Sequence, residues 1–270
     1  MIPPATATHC LARHGAGVAL MAILAFTMVG CTAAPSANPS PTSAGTEAAA
    51  ASVAPSLTGR PPCPYGGERA GTCLGVLSAG TYSTTSFAPP FTYTVPDDGW
   101  SNGEDRDGIF VLLAPGESFA GVEPDTSEWI GVFRSVGAAA AGCDEKVEPG
   151  VVSAQALTDW FTRQPGLVVT EPQPTSVGGL SGLMIDLSLA PGWTETCPLP
   201  FPDVPLVPLI LGTGPSEGLG VLVGATWPIR LYLLDFEDDN IAIYVMDHPG
   251  RFSLTDYDAV IRTIQFDLGS

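Results

Sequence analysis

Basic side chains are scarce in this sequence. Ten Lys and Arg stand against 28 Asp and Glu in 270 residues, a formal net charge of -18. A surface so short of cations cannot neutralise phosphates, which excludes a nucleic-acid partner. Adhesion of the folded surface to an anionic membrane is disfavoured for the same reason. Histidine is scarcer still, and His248 is the only one beyond residue 31, which leaves little for metal chelation or base catalysis. No CxxC pair, P-loop, dinucleotide fingerprint or haem attachment motif occurs, so no cofactor is expected. Gly (31) and Pro (27) are abundant, which excludes an all-helical bundle and requires irregular stretches. Hydrophobic residues at 45% are enough for a folded core.

Residues 1–30 read as a signal peptide. Arg13 and His14 precede the uncharged run Gly15–Gly30, whose sixteen residues are short for a bilayer crossing and suit the apolar region of an export signal. Met28-Val29-Gly30-Cys31 resembles a bacterial lipobox, with Met28 where Leu is usual. The resemblance implies that Cys31 becomes the N-terminus and carries acyl chains. The plain alternatives are an ordinary signal peptide or an uncleaved anchor. Residues 31–62 are almost entirely Ala, Ser, Thr, Pro and Gly, a composition that cannot bury enough apolar surface to offset the entropy of ordering. They read as a disordered spacer between a membrane anchor and one extracytoplasmic domain, 63–270. All 28 acids lie beyond Cys31.

Six cysteines are present. Cys10 leaves with the signal peptide and Cys31 is the lipidation candidate. Cys63, Cys73, Cys143 and Cys197 form an even set that fits an oxidising compartment and two disulfides, for which three connectivities exist. Local closure favours Cys63 with Cys73, leaving Cys143 with Cys197. Free reactive thiols are the alternative.

Punctuated apolar runs follow. Thr81–Thr85, Phe91–Val95, Ile109–Leu113, Trp129–Val136, Val168–Thr170, Leu183–Leu189, Leu219–Val223, Ile229–Phe236 and Ile241–Val245 read as strands. The pair 229–236 and 241–245 reads as a hairpin with an acidic tip around Glu237–Asn240. Ser153 caps a helix carrying Ala156, Leu157, Trp160 and Phe161, ended by Pro165-Gly166. A second helix is expected over Leu254–Ile264, then a short strand at Gln265–Leu268. Pro191–Pro208 holds six prolines and reads as an irregular excursion held down by Cys197. Short connections and two helices predict an α+β domain, an antiparallel sheet flanked by the two helices.

The run Phe91–Val95 followed by Pro96-Asp97-Asp98-Gly99-Trp100 resembles the opening of PsbP-like domains, among them secreted actinobacterial lipoproteins of the LpqN type. Tyr257–Phe266 resembles their closing helix and last strand. The likeness spans residues 80 to 268, and departs from the usual form at the extra Asp97-Asp98 and at the proline-rich excursion. It implies a sheet sandwiched by helices, a non-enzymatic binding or scaffolding role, and another envelope protein or a small apolar ligand as partner. No catalytic residue comes with it.

Three groupings remain. Gly214-Pro215-Ser216-Glu217-Gly218 matches the nucleophile-elbow pattern, and Ser216, Asp235 and His248 follow hydrolase order. A secreted hydrolase using His248 with Ser216 or Thr255 is therefore the competing class, although the segment after Ser216 reads as a strand where an elbow needs a helix. Asp97, Asp98, Glu104, Asp105 and Asp107 compose either a solvated acidic turn or a calcium loop, and the tip Glu237–Asp239 invites the same pair of readings. Trp129 and Trp160 read as core. Trp100, Trp193 and Trp227 each neighbour Gly or Pro and are the candidates for an exposed binding patch.

Overall fold

The computed structural model describes residues 75–117, 128–198, 203–224, 228–246 and 252–269. The leader, Cys10, Cys31, the spacer, Cys63, Cys73, Trp227 and His248 lie outside the described residues. The chain runs through β1 (Gly75–Val76), β2 (Gly80–Ser83), β3 (Phe91–Val95), β4 (Ser101–Arg106), β5 (Ile109–Leu113), β6 (Trp129–Arg134) and β7 (Val136–Ala138). Then come α1 (Ala154–Thr162), β8 (Leu167–Val169), β9 (Gln173–Val177), β10 (Leu180–Leu189), β11 (Leu206–Gly212) and β12 (Gly220–Gly224). β13 (Ile229–Phe236), β14 (Asp239–Met246), α2 (Leu254–Ile261) and β15 (Gln265–Phe266) complete it. The fold is α+β, rich in antiparallel sheet, with two helices among the described residues.

The central sheet has the order β1-β4-β5-β6-β14-β13-β10-β8, with β9 also on β10. All five residues of β5 are buried, because both faces of this sheet are covered. Phe110 and Leu112 pack with Phe91, Tyr93, Tyr257 and Val260 of β3 and α2. Their neighbours Ile109, Val111 and Leu113 pack with Leu157 and Phe161 of α1 and with Leu209 and Ile210 of β11. Alternation along the strand thus sends successive side chains into two cores. One cover is α2 with the sheet β15-β3-β2, and the other is α1 with the sheet β12-β11-β7. The two segments that carry the family resemblance meet directly, as Phe266 pairs with Phe91 and Gln265 with Thr92.

Both helices start at serines. Ser153 Oγ accepts from the Ala156 amide at 3.2 Å, and Asp235 of β13 accepts from the Ala154 amide at 2.9 Å. Ser253 donates its amide (2.8 Å) and its hydroxyl (2.7 Å) to Asp256, whose carboxyl is held below the usual range by those bonds. In the ladder between β6 and β14, Gly131 lies opposite Tyr244. A Cβ on Gly131 would clash with the Phe133 and Trp129 rings, so the glycine is what lets those rings close over the ladder.

Five expectations are corrected. Ser101–Arg106 is a strand, because its polar sequence is buried in part and hydrogen-bonded in the ladder between β1 and β5. The proline-rich excursion ends earlier than expected, since β11 begins at Leu206 and absorbs Pro208 at a register shift, where no ladder donor is needed. The segment Gln173–Val177, absent from the expected strands, pairs with β10. Trp129–Val136 is broken in two at Ser135, which has φ 58°. The hairpin tip is only Glu237-Asp238, because Asp239 already pairs with Phe236 and Asn240 is buried in the ladder.

Asp105 shows what the acidic segment does. Its carboxylate is fully buried and accepts from the Thr85 amide (2.6 Å) and hydroxyl (2.8 Å), the Ser86 amide (3.1 Å) and the Phe87 amide (2.9 Å). It fixes the loop between β2 and β3. Removing it strands buried donors, so Asp105→Ala is expected to cost about 3 kcal/mol in urea unfolding, and Asp105→Asn less because one acceptor remains. Cys143 and Cys197 are disulfide-bonded, with Cα atoms 5.5 Å apart and 54 residues of separation. Closing a loop of that length stabilises by about 4 kcal/mol in the chain-entropy model. Cys197→Ser is expected to lose that amount, and reductant is expected to lower the melting temperature of the wild type alone.

Candidate functional site

The sheet β12-β11-β7 carries the candidate site. Its middle strand alternates, with Leu206, Val207, Leu209 and Ile210 buried and Pro208 and Leu211 half-exposed. Over it cross the loop after β7, which brings Cys143, and the excursion after β10, which brings Cys197. The disulfide joins them and stands between two cavities, lining both together with Leu206 and Pro208. One, of about 200 Å³, is walled by Leu211, Val221 and Leu222, with Glu145 beside them. The other, of about 300 Å³, is walled by Pro165, Trp193 and Val207, with Gln164, Glu195 and Thr196 as its polar members. Mostly apolar walls with a few polar groups, at a combined size suited to a small organic molecule, are the usual make-up of a ligand pocket.

Local structure fixes these walls. The excursion is partly ordered by a bridge between Thr196 and Pro205 and by the Leu206 amide donating to Glu195 O at 3.1 Å. Trp193 is half-buried, its Nε1 donating to Leu206 O at 3.2 Å. A Cβ on Gly166 would meet its indole at 2.8 Å; the turn ending α1 therefore needs glycine for the ring to lie against it.

The other candidates fall elsewhere. Trp100 is 1% exposed and packs against Phe252 and Tyr257 in the α2-side core, which corrects its assignment to an exposed patch. Gly99, with φ 100°, turns the chain inward just before it. Trp100 and Trp193 therefore share no surface. Trp129 and Trp160 pack against the α1-side core, Trp160 donating to Ala139 O at 3.1 Å.

Ser216 is fully buried on a 3-10 turn, Gly214–Ser216, and donates to the carbonyls of Ser135 (3.0 Å) and Thr213 (3.2 Å). Strand β12 follows it, so no helix N-terminus faces the hydroxyl. Asp235 is engaged at the start of α1, and Thr255 is exposed on α2. These residues form no nucleophile and acid pair. The carboxylates of the calcium reading are likewise dispersed. Asp98 accepts from the Ala79 amide at 2.8 Å, Glu104 pairs with Arg106 at 2.6 Å, and Asp105 holds its loop. Among the described residues no group of three His, Cys, Asp or Glu is placed to hold a metal ion.

One polar cluster has no counterpart in the sequence reading. Arg230 donates to both oxygens of Asp186 (2.7 and 2.8 Å) and to Asp258 (2.7 Å), which also accepts from Tyr232. The bonds to Asp186 lead in raising the guanidinium pKa, and burial leads in raising that of Tyr232. This cluster fastens α2 to β13 and β10, and all its groups are satisfied. No family model, no curated protein and no solved structure matches this chain.

Proposed function

We propose that this chain is a lipid-anchored, extracytoplasmic domain, held to the cell membrane through Cys31, that binds a small apolar ligand and catalyses nothing. The cleft divided by Cys143–Cys197 is the ligand seat, and it is the observation that carries the reading. A bound apolar molecule would lie on Leu206, Pro208 and Leu222 with the disulfide across it. The covalent clasp suits an oxidising compartment, where it persists without enzymatic upkeep. Helices on opposite faces of an antiparallel sheet favour the sandwich arrangement of PsbP-like domains, and the lipobox-like Gly30-Cys31 with its spacer supports the anchor.

Two experiments test the two halves. In a lipoprotein-processing bacterium, wild type is expected in the detergent phase with an acyl mass on Cys31, and Cys31→Ala in the aqueous phase. Equal partitioning without added mass would end the anchor reading. For the seat, Nile red is expected to gain emission on mixing with wild type. Leu222→Trp, which fills the smaller cavity from a half-exposed strand position, is expected to lose at least half of that gain at an unchanged melting temperature.

A further inference from the structure

We infer that the cleft selects cationic amphiphiles, small amines carried on an apolar or aromatic body. The inference rests on the cleft being a ligand seat and adds the charge of what sits there. Each cavity is lined by one acidic residue, Glu145 in the smaller and Glu195 in the larger, both solvent-exposed. Among the described residues no lysine or arginine lines either cavity. The nearest bases in sequence are otherwise disposed. Lys146 pairs with Asp144 at 3.1 Å, and Arg163 is exposed beside the lining residue Gln164. A carboxylate or phosphate ligand would therefore meet like charge, apolar wall and the neutral Gln164 and Thr196, with no lining cation to pair it.

Trp193 adds a second attraction for a cation. Its N–H is committed to Leu206 O, which fixes the plane of the ring, and Gly166 lies against it. The ring, half-exposed in the wall of the larger cavity, offers a π-face to an ammonium group. Leu206, Pro208 and Val207 supply the surface for the apolar body. The net charge of -18 works in the same direction at long range, raising the local concentration of cations.

The test uses three near-isosteric probes: phenethylamine, phenethyl alcohol and hydrocinnamate, which are cationic, neutral and anionic. Affinities are measured by calorimetry on the purified protein at physiological ionic strength, where long-range attraction is largely screened. Phenethylamine is expected to bind about five-fold tighter than the alcohol, the size of effect that exposed charges support, and hydrocinnamate weakest. In the double variant Glu145→Gln, Glu195→Gln the amine loses most of its advantage over the alcohol, the remainder being the contribution of Trp193, and the alcohol's own affinity stays unchanged. Asp238→Asn, which removes an exposed charge at the β13–β14 tip, leaves the preference intact. Equal binding of amine and alcohol by wild type overturns the charge selection while leaving the seat in place, as does a preference undiminished in the double variant. If none of the three binds, the seat itself is overturned.

Discussion

The fold depends on a corner at Ser135, where one strand leaves the central sheet and enters another. A non-glycine residue at φ 58° costs roughly 1–2 kcal/mol, and here every polar group of that residue is engaged. Its amide donates to Asn240 O at 3.0 Å and its hydroxyl to Asp239. Its carbonyl accepts from the Thr213 amide and hydroxyl, both at 2.8 Å, and from Ser216. Asn240 continues the lock, accepting from the Val136 amide and donating to Val136 O and Val152 O. Place β7 by this corner and β11 follows on β7, β12 on β11, and the cleft on all three. The buried serine that looks like a nucleophile in the sequence is one of the bolts of this corner.

Charged residues are only 14% of the chain, and several of those that touch the interior are spent on joints. Asp105 organises the β2–β3 loop, Asp235 caps α1, and Arg230 with Asp186 and Asp258 fastens α2. The buried carboxylate of Asp105 has its desolvation offset by the amides that meet it, while Asp186 and Asp258 are half-buried against Arg230 and Asp235 is exposed. The remaining acids lie outward and give the surface its sign. The acidic excess therefore has two separate origins, a few internal joints and a broad external field.

The strands that were legible were those whose burial follows sequence period. Phe91–Val95 alternates buried and half-buried residues, Ile109–Leu113 is a continuous apolar run, Ile229–Phe236 is an apolar run interrupted by Arg230 and Asp235, and all three match to the residue. The hidden ones were stabilised by what surrounds them. Ser101–Arg106 has no apolar pattern and is a strand because two neighbours pair with it and Thr85 to Phe87 fold onto Asp105. Leu206–Gly212 was masked by Pro208, whose missing donor is harmless at a bulge. Trp100 was misread because a neighbouring glycine suggests a surface turn, whereas here it steers the indole into the core. Of the site, Cys143, Cys197 and Trp193 were legible one by one. Their convergence was not, because it depends on β11, the strand that the proline concealed.

The way in which β1 joins the sheet bears on mechanics. This edge strand is held to β4 by only two residue pairs, Gly75 with Asn102 and Val76 with Ser101. Directly after it, Leu77 is buried, its amide donating to Trp100 O at 2.7 Å and its carbonyl accepting from Gly99 at 3.0 Å. Tension applied through the chain before Gly75 is thus borne first by a two-rung ladder that can unzip, and then by a side chain pegged in the core beside Trp100. The sheet thus has a short, sacrificial length of slack at the edge formed by β1. Load is arrested at Leu77 before it reaches β5 or the corner at Ser135, so the cleft keeps its shape while the first rungs open and re-form.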